Sequence, residues 1–479
     1  LNYLFSKKKS KYLLFLGITF GLIVDEENKR KRLFIMDSEK EIIKIVENFV
    51  YGIISIQRFN IETAENSKSH FEIRYKRDPS LYALDIALRR KIAGQELTEA
   101  DKKHKNFSKI KLCFDNIEVK EEEGSYLIRS KHGLVNSLIK KQNKQRELIY
   151  RSKVQSQRLV VANLVSSLET LLTSLTEYVL LNVYRNLSSI KGVTLDLNEI
   201  DSFENIIDIK KYAIHKYLNG KKYESFKKWF KDFVEICIAK DFLDKDNGKE
   251  LNGYAETIFE IFLRRNLITH NDGVVNEIYL EKVSKKYIVG IKKGDAISVN
   301  DDYLKESARN ILQFGILFIS YTLFKKGLYK NNKIIEIIED LGIELYQIGE
   351  YKAGQYLFQS LDLFYSKRGN YEDNPFTFLA KYNYWLGDKL SNSNVPFKYN
   401  LEVESYYEST KNSDWFEEQF EIAILSLKED KEKFIAKSLE YLEFIKEEKY
   451  IFNVLNWPVF DLIREEESFI EFEKTLYYT

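Results

Sequence analysis

At 479 residues and 56.7 kDa, the chain has room for roughly two to four domains, which excludes a single small module. Hydrophobic residues make up 44% and charged residues 31%, a balance that can bury sizeable cores and excludes a disordered polymer. Lys and Arg number 74 against 73 Asp and Glu, a formal charge of +1, so any surface for a polyanion has to be local. Four prolines and 20 glycines, in a chain rich in Leu, Ile, Lys and Glu, disfavour a many-turned β-sandwich and predict a mainly α fold. Cys113 and Cys237 lie far apart and outside any CxxC pair, which leaves no disulfide framework or cysteine-rich zinc site and fits a reducing cytoplasm.

Lys7, Lys8, Lys9 and Lys11 precede an apolar run from Tyr12 to Val24. Its thirteen residues fall short of the roughly 20 that cross a bilayer as a helix, and no small-x-small cleavage site follows. Residues 1–35 therefore read as a short strand pair or an over-extended reading frame rather than an anchor. Met36, the only methionine, is then the candidate start, directly before a helix-like segment at Asp37–Val50. No stable membrane insertion is expected.

Residues 36–155 read as a mixed α+β region ending in a basic helix. One amphipathic helix comes first, and a strand pair is predicted around IKLCFDNIEV and GSYLIRS. Between Arg129 and Arg158 nine basic residues stand against Glu147 alone, a net of +8. Lys140, Lys141, Lys144, Arg146 and Arg151 are the candidate phosphate contacts of such a helix. The alternative is a solvated face beside an acidic neighbour.

From Leu159 to Leu187 apolar residues recur every three or four positions, as on a long helix with one buried face. Further helices are predicted over Tyr223–Phe242 and Tyr254–His270, with Asn252-Gly253 separating the second from what precedes it and Asn271-Asp272-Gly273 stopping it. KYIVGIKKGDAISV, residues 286–299, reads as a β-hairpin turning at Lys293-Gly294-Asp295. Asn300-Asp301-Asp302 would cap a helix running to about Leu328.

The remainder, 331–479, reads as successive helices. GIELYQIGEYKAGQYLFQSLDLF has the small-residue and aromatic spacing of a tetratricopeptide-like helix pair without a strict period. Phe416–Leu427, Phe434–Ile445 and the NWPVFDLIREEESFIEF segment continue the array. Residues 401–479 hold 20 acidic and 9 basic residues, a net of −11, which suits a protein partner better than RNA.

The sharpest chemical feature is Arg264-Arg265-Asn266-Leu267-Ile268-Thr269-His270. Asn266 and His270 are four apart and share a helix face, and Arg265 is long enough to reach the same point. Such a trio suits a phosphodiester: guanidinium for the non-bridging oxygens, imidazole for a proton, amide for orientation. The alternative makes His270 a C-terminal cap and pairs the arginines with residues such as Glu260 on the surface. His70, His104, His132 and His215 show no metal-ligand spacing, and no HExxH, glycine-rich phosphate loop or GxSxG occurs.

The Arg265-x4-His270 spacing, with Asn266 after the arginine, on a helix ending in HNDG behind a long SSLETLL helix, resembles the HEPN domain. Arg264 also satisfies the looser R-x4-6-H spacing of that family. The resemblance would cover residues 156–330 as a bundle of four or five helices carrying the hairpin. It implies metal-independent endoribonuclease activity, without a cofactor, at a cleft between two protomers of a homodimer. His270 would then assist attack by the ribose 2′-OH, Arg265 would stabilise phosphate charge, and Asn266 would orient either. Glu169 would position Arg265 or Arg264. The family further implies a cytoplasmic toxin or abortive-infection effector in antiphage defence, or, where activity is lost, a scaffold binding RNA or protein. The C-terminal array would dock a protein partner.

Overall fold

Good helix formers dominate the sequence, and the computed structural model is mainly helical, with a single two-stranded sheet among the described residues. It describes residues 38–62, 78–122, 125–183, 190, 193–221, 225–245, 248–367, 374–392, 395–428, 430–446 and 451–477. The expectations for residues 1–35 and for Met36 lie outside them.

The chain divides into two compact units, neither of which is one contiguous stretch. The first takes the described residues up to Gly52, those of Ser167–Phe262 and those from Arg309 onward. The second takes the described residues of Ile53–Ser166 and Leu263–Ala308. The divisions fall inside four helices: α1 (38–62), α5 (Gly133–Tyr178), α9 (Lys249–His270) and α11 (Asp301–Lys325).

In the second unit the end of α1 is followed by α2 (Pro79–Ile92), capped by the Asp78 carboxylate, which accepts from the N–H groups of Ser80 and Leu81. After α3 (Glu99–Lys103) and α4 (Phe107–Asn116) come the antiparallel strands β1 (Glu118–Glu122) and β2 (Ser125–Arg129). The expected strand pair thus exists, but IKLCFDN is the end of α4, whose Ile110, Cys113 and Phe114 recur at helical spacing and are buried. Leu84, Leu88, Cys113, Phe114 and Ile117 close a core with Val135 and Ile139 of α5.

Helix α5 runs without a break for 46 residues, about 69 Å at the usual rise. It joins the basic run and the apolar run into one element, and continues as a π-helical turn over Val179–Val183. Of the described helices it alone is long and apolar enough to cross a membrane, and half of its most apolar window is buried.

The first unit packs its share of α5 with α7 (Ile206–Lys221), α8 (Phe226–Cys237), α9 and α11. A short α6 (Leu197–Asp201) precedes α7. Rings fill its centre: Phe226 lies 4.5 Å from Phe262 and 5.4 Å from Phe230, and Phe230 lies 5.2 Å from Phe314, between ring centroids. Contrary to the expected break, α9 passes through Asn252-Gly253, where open space surrounds the glycine and the buried Leu251 and Ile258 hold the helix to its core.

Further on, α12 (Asn332–Gln347), α13 (Tyr351–Ser366) and α14 (Pro375–Ser391) pack through glycines. The Phe358 ring lies over Gly342, and Tyr346 fits against Gly354 and Gly387 and donates its hydroxyl to the Asn383 carbonyl at 2.6 Å. Helices α15 (Asn400–Thr410), α16 (Glu418–Leu427), α17 (Lys431–Phe444), α18 (Ile451–Leu455) and α19 (Glu467–Tyr477) complete a C-terminal helical region.

Candidate functional site

Leu263 and Leu267 anchor the last turns of α9. Leu267 packs with Val275, Tyr279 and Val283, against which Leu263, Tyr287, Ile288, Ile291 and Ile297 also lie. By helical spacing Asn266 and His270 lie about 60° and 20° from Leu263, toward the side of the helix that carries this core and not opposite it. Both are exposed, as is Thr269 between them. Asn266 and His270 are separated by about 40° around the axis and share one face, whereas Arg265 is about 140° from His270. Arg265 is half-buried, with its Nε shielded from solvent, and lies about 100° from Asn266.

Arg264 is committed to the fold. Only 8% exposed, it donates through Nη1 to the Ser298 carbonyl at 2.7 Å and through Nη2 to the Tyr279 hydroxyl at 3.5 Å. Its guanidinium carbon stands 3.9 Å from the centre of the Tyr303 ring. The surface ion pairs of the alternative reading do not apply to Arg264 or to Glu260, since both are buried.

The helix stops where Asn271-Asp272-Gly273 predicts. Asp272 and Gly273 take φ of 49° and 75°, both left-handed, and the N–H groups of Asn271 and Gly273 return to the Leu267 carbonyl. Arg158 of α5 holds this turn, donating Nη1 to the Asp272 carboxylate at 2.6 Å and Nη2 to its carbonyl at 2.7 Å. Nη2 of Arg158 lies so close to Gly273 that a Cβ built there would be 2.9 Å away. The turn beyond His270 is therefore fixed by a bidentate grip.

The hairpin expected over residues 286–299 does not form. Lys285–Tyr287 make a short 3-10 helix, and the later part of the segment pairs instead with the residues just after His270. Val274 bridges Ala296, Val275 donates to Asp295, and Ile297 donates to Gly273 at 2.7 Å. The turn itself is where the sequence puts it. The Asp295 carboxylate accepts from the Lys292 N–H at 2.7 Å, and Gly294 takes φ of 90°. Of the apolar residues expected to form a first strand, Tyr287, Ile288 and Ile291 pack on the core beneath Leu267, and Val289 is exposed. Asn276 caps α10 (Glu277–Lys282), and Asn300 caps α11 by accepting from Tyr303 at 2.8 Å.

Lys140, Lys141, Lys144, Arg146 and Arg151 are all exposed on α5. Lys141 pairs with Asp78 at 2.7 Å and Arg151 with Glu147 at 2.6 Å. Glu169 is half-buried on the part of α5 that belongs to the first unit. Arg158, Tyr279, Tyr303 and the Ser298 carbonyl were not legible as parts of the site. Arg158 looked like one more cation of the basic run, and the others are distant in sequence. Among the described residues no group of His, Cys, Asp and Glu could hold a metal ion. In comparisons with known proteins, no family model, no curated relative and no solved structure matches this chain.

Proposed function

We propose that this protein is a metal-independent endoribonuclease of the HEPN type. What carries the reading is the exposure of Asn266 and His270 on one face of a rigidly held helix end, with Arg265 next to Asn266 in sequence. His270 removes the proton of a ribose 2′-OH, whose oxygen attacks the adjacent phosphorus. Charge gathers on the non-bridging oxygens, where Arg265 stabilises it, and Asn266 orients the phosphate. The P–O5′ bond breaks, leaving a 2′,3′-cyclic phosphate on one product and a 5′-hydroxyl on the other. One His270 serves as base, so the proton for the leaving oxygen comes from the His270 of a twin protomer across the cleft. By the same resemblance, the biological role is that of a cytoplasmic antiphage or toxin effector, with the C-terminal helices docking a regulator.

The test is cleavage of total RNA in EDTA. His270→Ala and Arg265→Ala are each expected to lower cleavage by about a hundredfold or more while the circular dichroism spectrum is kept. Undiminished cleavage by both variants overturns the assignment, as does a product carrying a 5′-phosphate.

A second reading, a non-catalytic helical scaffold, draws on the half-burial of Arg265 and its angular distance from His270. It predicts RNA or protein binding with no cleavage that depends on His270.

A further inference from the structure

The cations of α5 are not spread evenly round the helix. At 100° per residue, Lys140, Lys144 and Arg151 fall within about 40° of one another, and Arg158 lies on the same line. Lys141 and Arg146 point elsewhere, about 100° and 240° from Lys140. The line is about 27 Å long from Lys140 to Arg158. It ends at a defined place, because Arg158 is the residue that grips Asp272, two positions beyond His270. Lys140 and Lys144 are exposed and have no carboxylate partner among the described residues, and Arg151 shares only the exposed Glu147.

We infer that this face of α5 is a track for single-stranded RNA, three cations long, that delivers a phosphodiester to the His270 turn. The inference rests on the ribonuclease reading and gives its substrate a path and a strandedness. Unpaired RNA fits for two reasons. In-line attack by a 2′-oxygen needs a ribose free of an A-form duplex. Tyr150, 70% exposed, also presents a ring about a quarter-turn from the track, where an unpaired base can stack. Lys153, by contrast, is turned to Asp301 at 3.0 Å, and Lys141 to Asp78, so these two cations off the track are already occupied. Arg146 remains a lone exposed charge off the line. Glu147, on the line itself, opposes an RNA phosphate.

The test measures binding of a labelled, unstructured oligoribonucleotide to the full chain carrying His270→Ala, so that cleavage cannot interfere. Each track cation removed is expected to reduce the steepness of log affinity against log salt by about 0.7. Lys140→Gln with Lys144→Gln therefore lowers affinity several-fold and flattens the slope by about 1.4, whereas Lys141→Gln leaves both unchanged. Glu147→Gln does the opposite and tightens binding. A duplex of the same sequence binds more weakly, and polyglutamate does not displace the RNA at equal charge. Loss of binding shared equally by Lys141→Gln, no effect of the double variant, preference for duplex, or displacement by polyglutamate each overturns the track. Cleavage indifferent to His270→Ala defeats the ribonuclease reading and leaves the binding asymmetry measurable on its own. Cleavage dependent on His270 but indifferent to the double variant on long RNA defeats the track alone.

Discussion

Two adjacent guanidiniums on α9 differ in how deeply they are buried. Arg264 is enclosed by Tyr303, Tyr279 and the Ser298 carbonyl, and its neighbour Arg265 is half-buried, with its Nε shielded from solvent. Removing Arg264 takes a buried donor from the Ser298 carbonyl and empties the stacked site against Tyr303. Arg264→Ala is therefore expected to cost about 2 to 4 kcal/mol in urea denaturation, and Arg264→Lys recovers little of it because an ammonium cannot both stack and bond. On the proposed ribonuclease reading, Arg265→Ala is expected to cost less stability than Arg264→Ala and to act on cleavage. Equal destabilisation by the two alanine variants would contradict this division. Sequence spacing cannot separate the pair, since R-x4-6-H accepts either arginine. Only the burial of Leu263 and Leu267 fixes the rotation of α9 and decides which guanidinium faces inward. The helix stop at Asn271-Asp272-Gly273 and the cap at Asn300 were legible because a few adjacent residues suffice to make them.

At the scale of elements, two glycines in helix interiors lead to opposite expectations for one substitution. A Cβ on Gly354 of α13 would lie 2.4 Å from Cε1 of Tyr346 and 2.9 Å from the Gly342 carbonyl oxygen, in a region where Tyr346 is fully buried. Gly354→Ala is expected to destabilise by about 1 to 3 kcal/mol through overpacking. Gly253 of α9 meets nothing within 4 Å, so Gly253→Ala gains about 0.5 to 1 kcal/mol from helix propensity and a less free unfolded chain. Chemical denaturation of the two variants decides it, and the same sign for both would refute the packing argument. The small-residue and aromatic spacing of α12 and α13 was visible in the sequence, and the fit of the Tyr346 ring to Gly354 gives it a physical cause. The break drawn at Asn252-Gly253 was not real, because burial of Leu251 and Ile258 outweighs local turn preference. Strand patterning at residues 286–299 likewise marked a turn without naming its partner, which came from Gly273–Val275.

For the molecule as a whole, the two cysteines report on different cores. Cys113 is buried in the core of the second unit, and Cys237 is buried in the first unit, 3.3 Å from Thr176 Oγ1. Burial pushes the Cys113 thiol up to about 11 and that of Cys237 to about 12. At pH 8 both are expected to be silent toward a thiol-specific disulfide reagent in the native protein and to react once their own unit opens. The sign of the linkage follows. The unfolded thiols ionise near 9 while the folded ones keep their protons, so stability falls as pH rises above about 9 and levels off once the folded values are passed. Replacing both cysteines by alanine should shallow that decline in alkaline denaturation curves, and an unchanged curve would argue against it.

The division of four helices between two units also bears on how activity can be mapped. Residues 156–330 hold Arg265 and His270 but omit Lys140, Lys144 and Arg151, as well as Val135, Ile139 and the rest of the first core that α5 closes in the second unit. Cutting the gene at any single codon severs one unit or both, so a fragment that fails to cleave RNA says nothing against the residues it contains. Point substitution in the intact polypeptide is the sound genetic instrument here, and the minimal active region is expected to be nearly the whole chain.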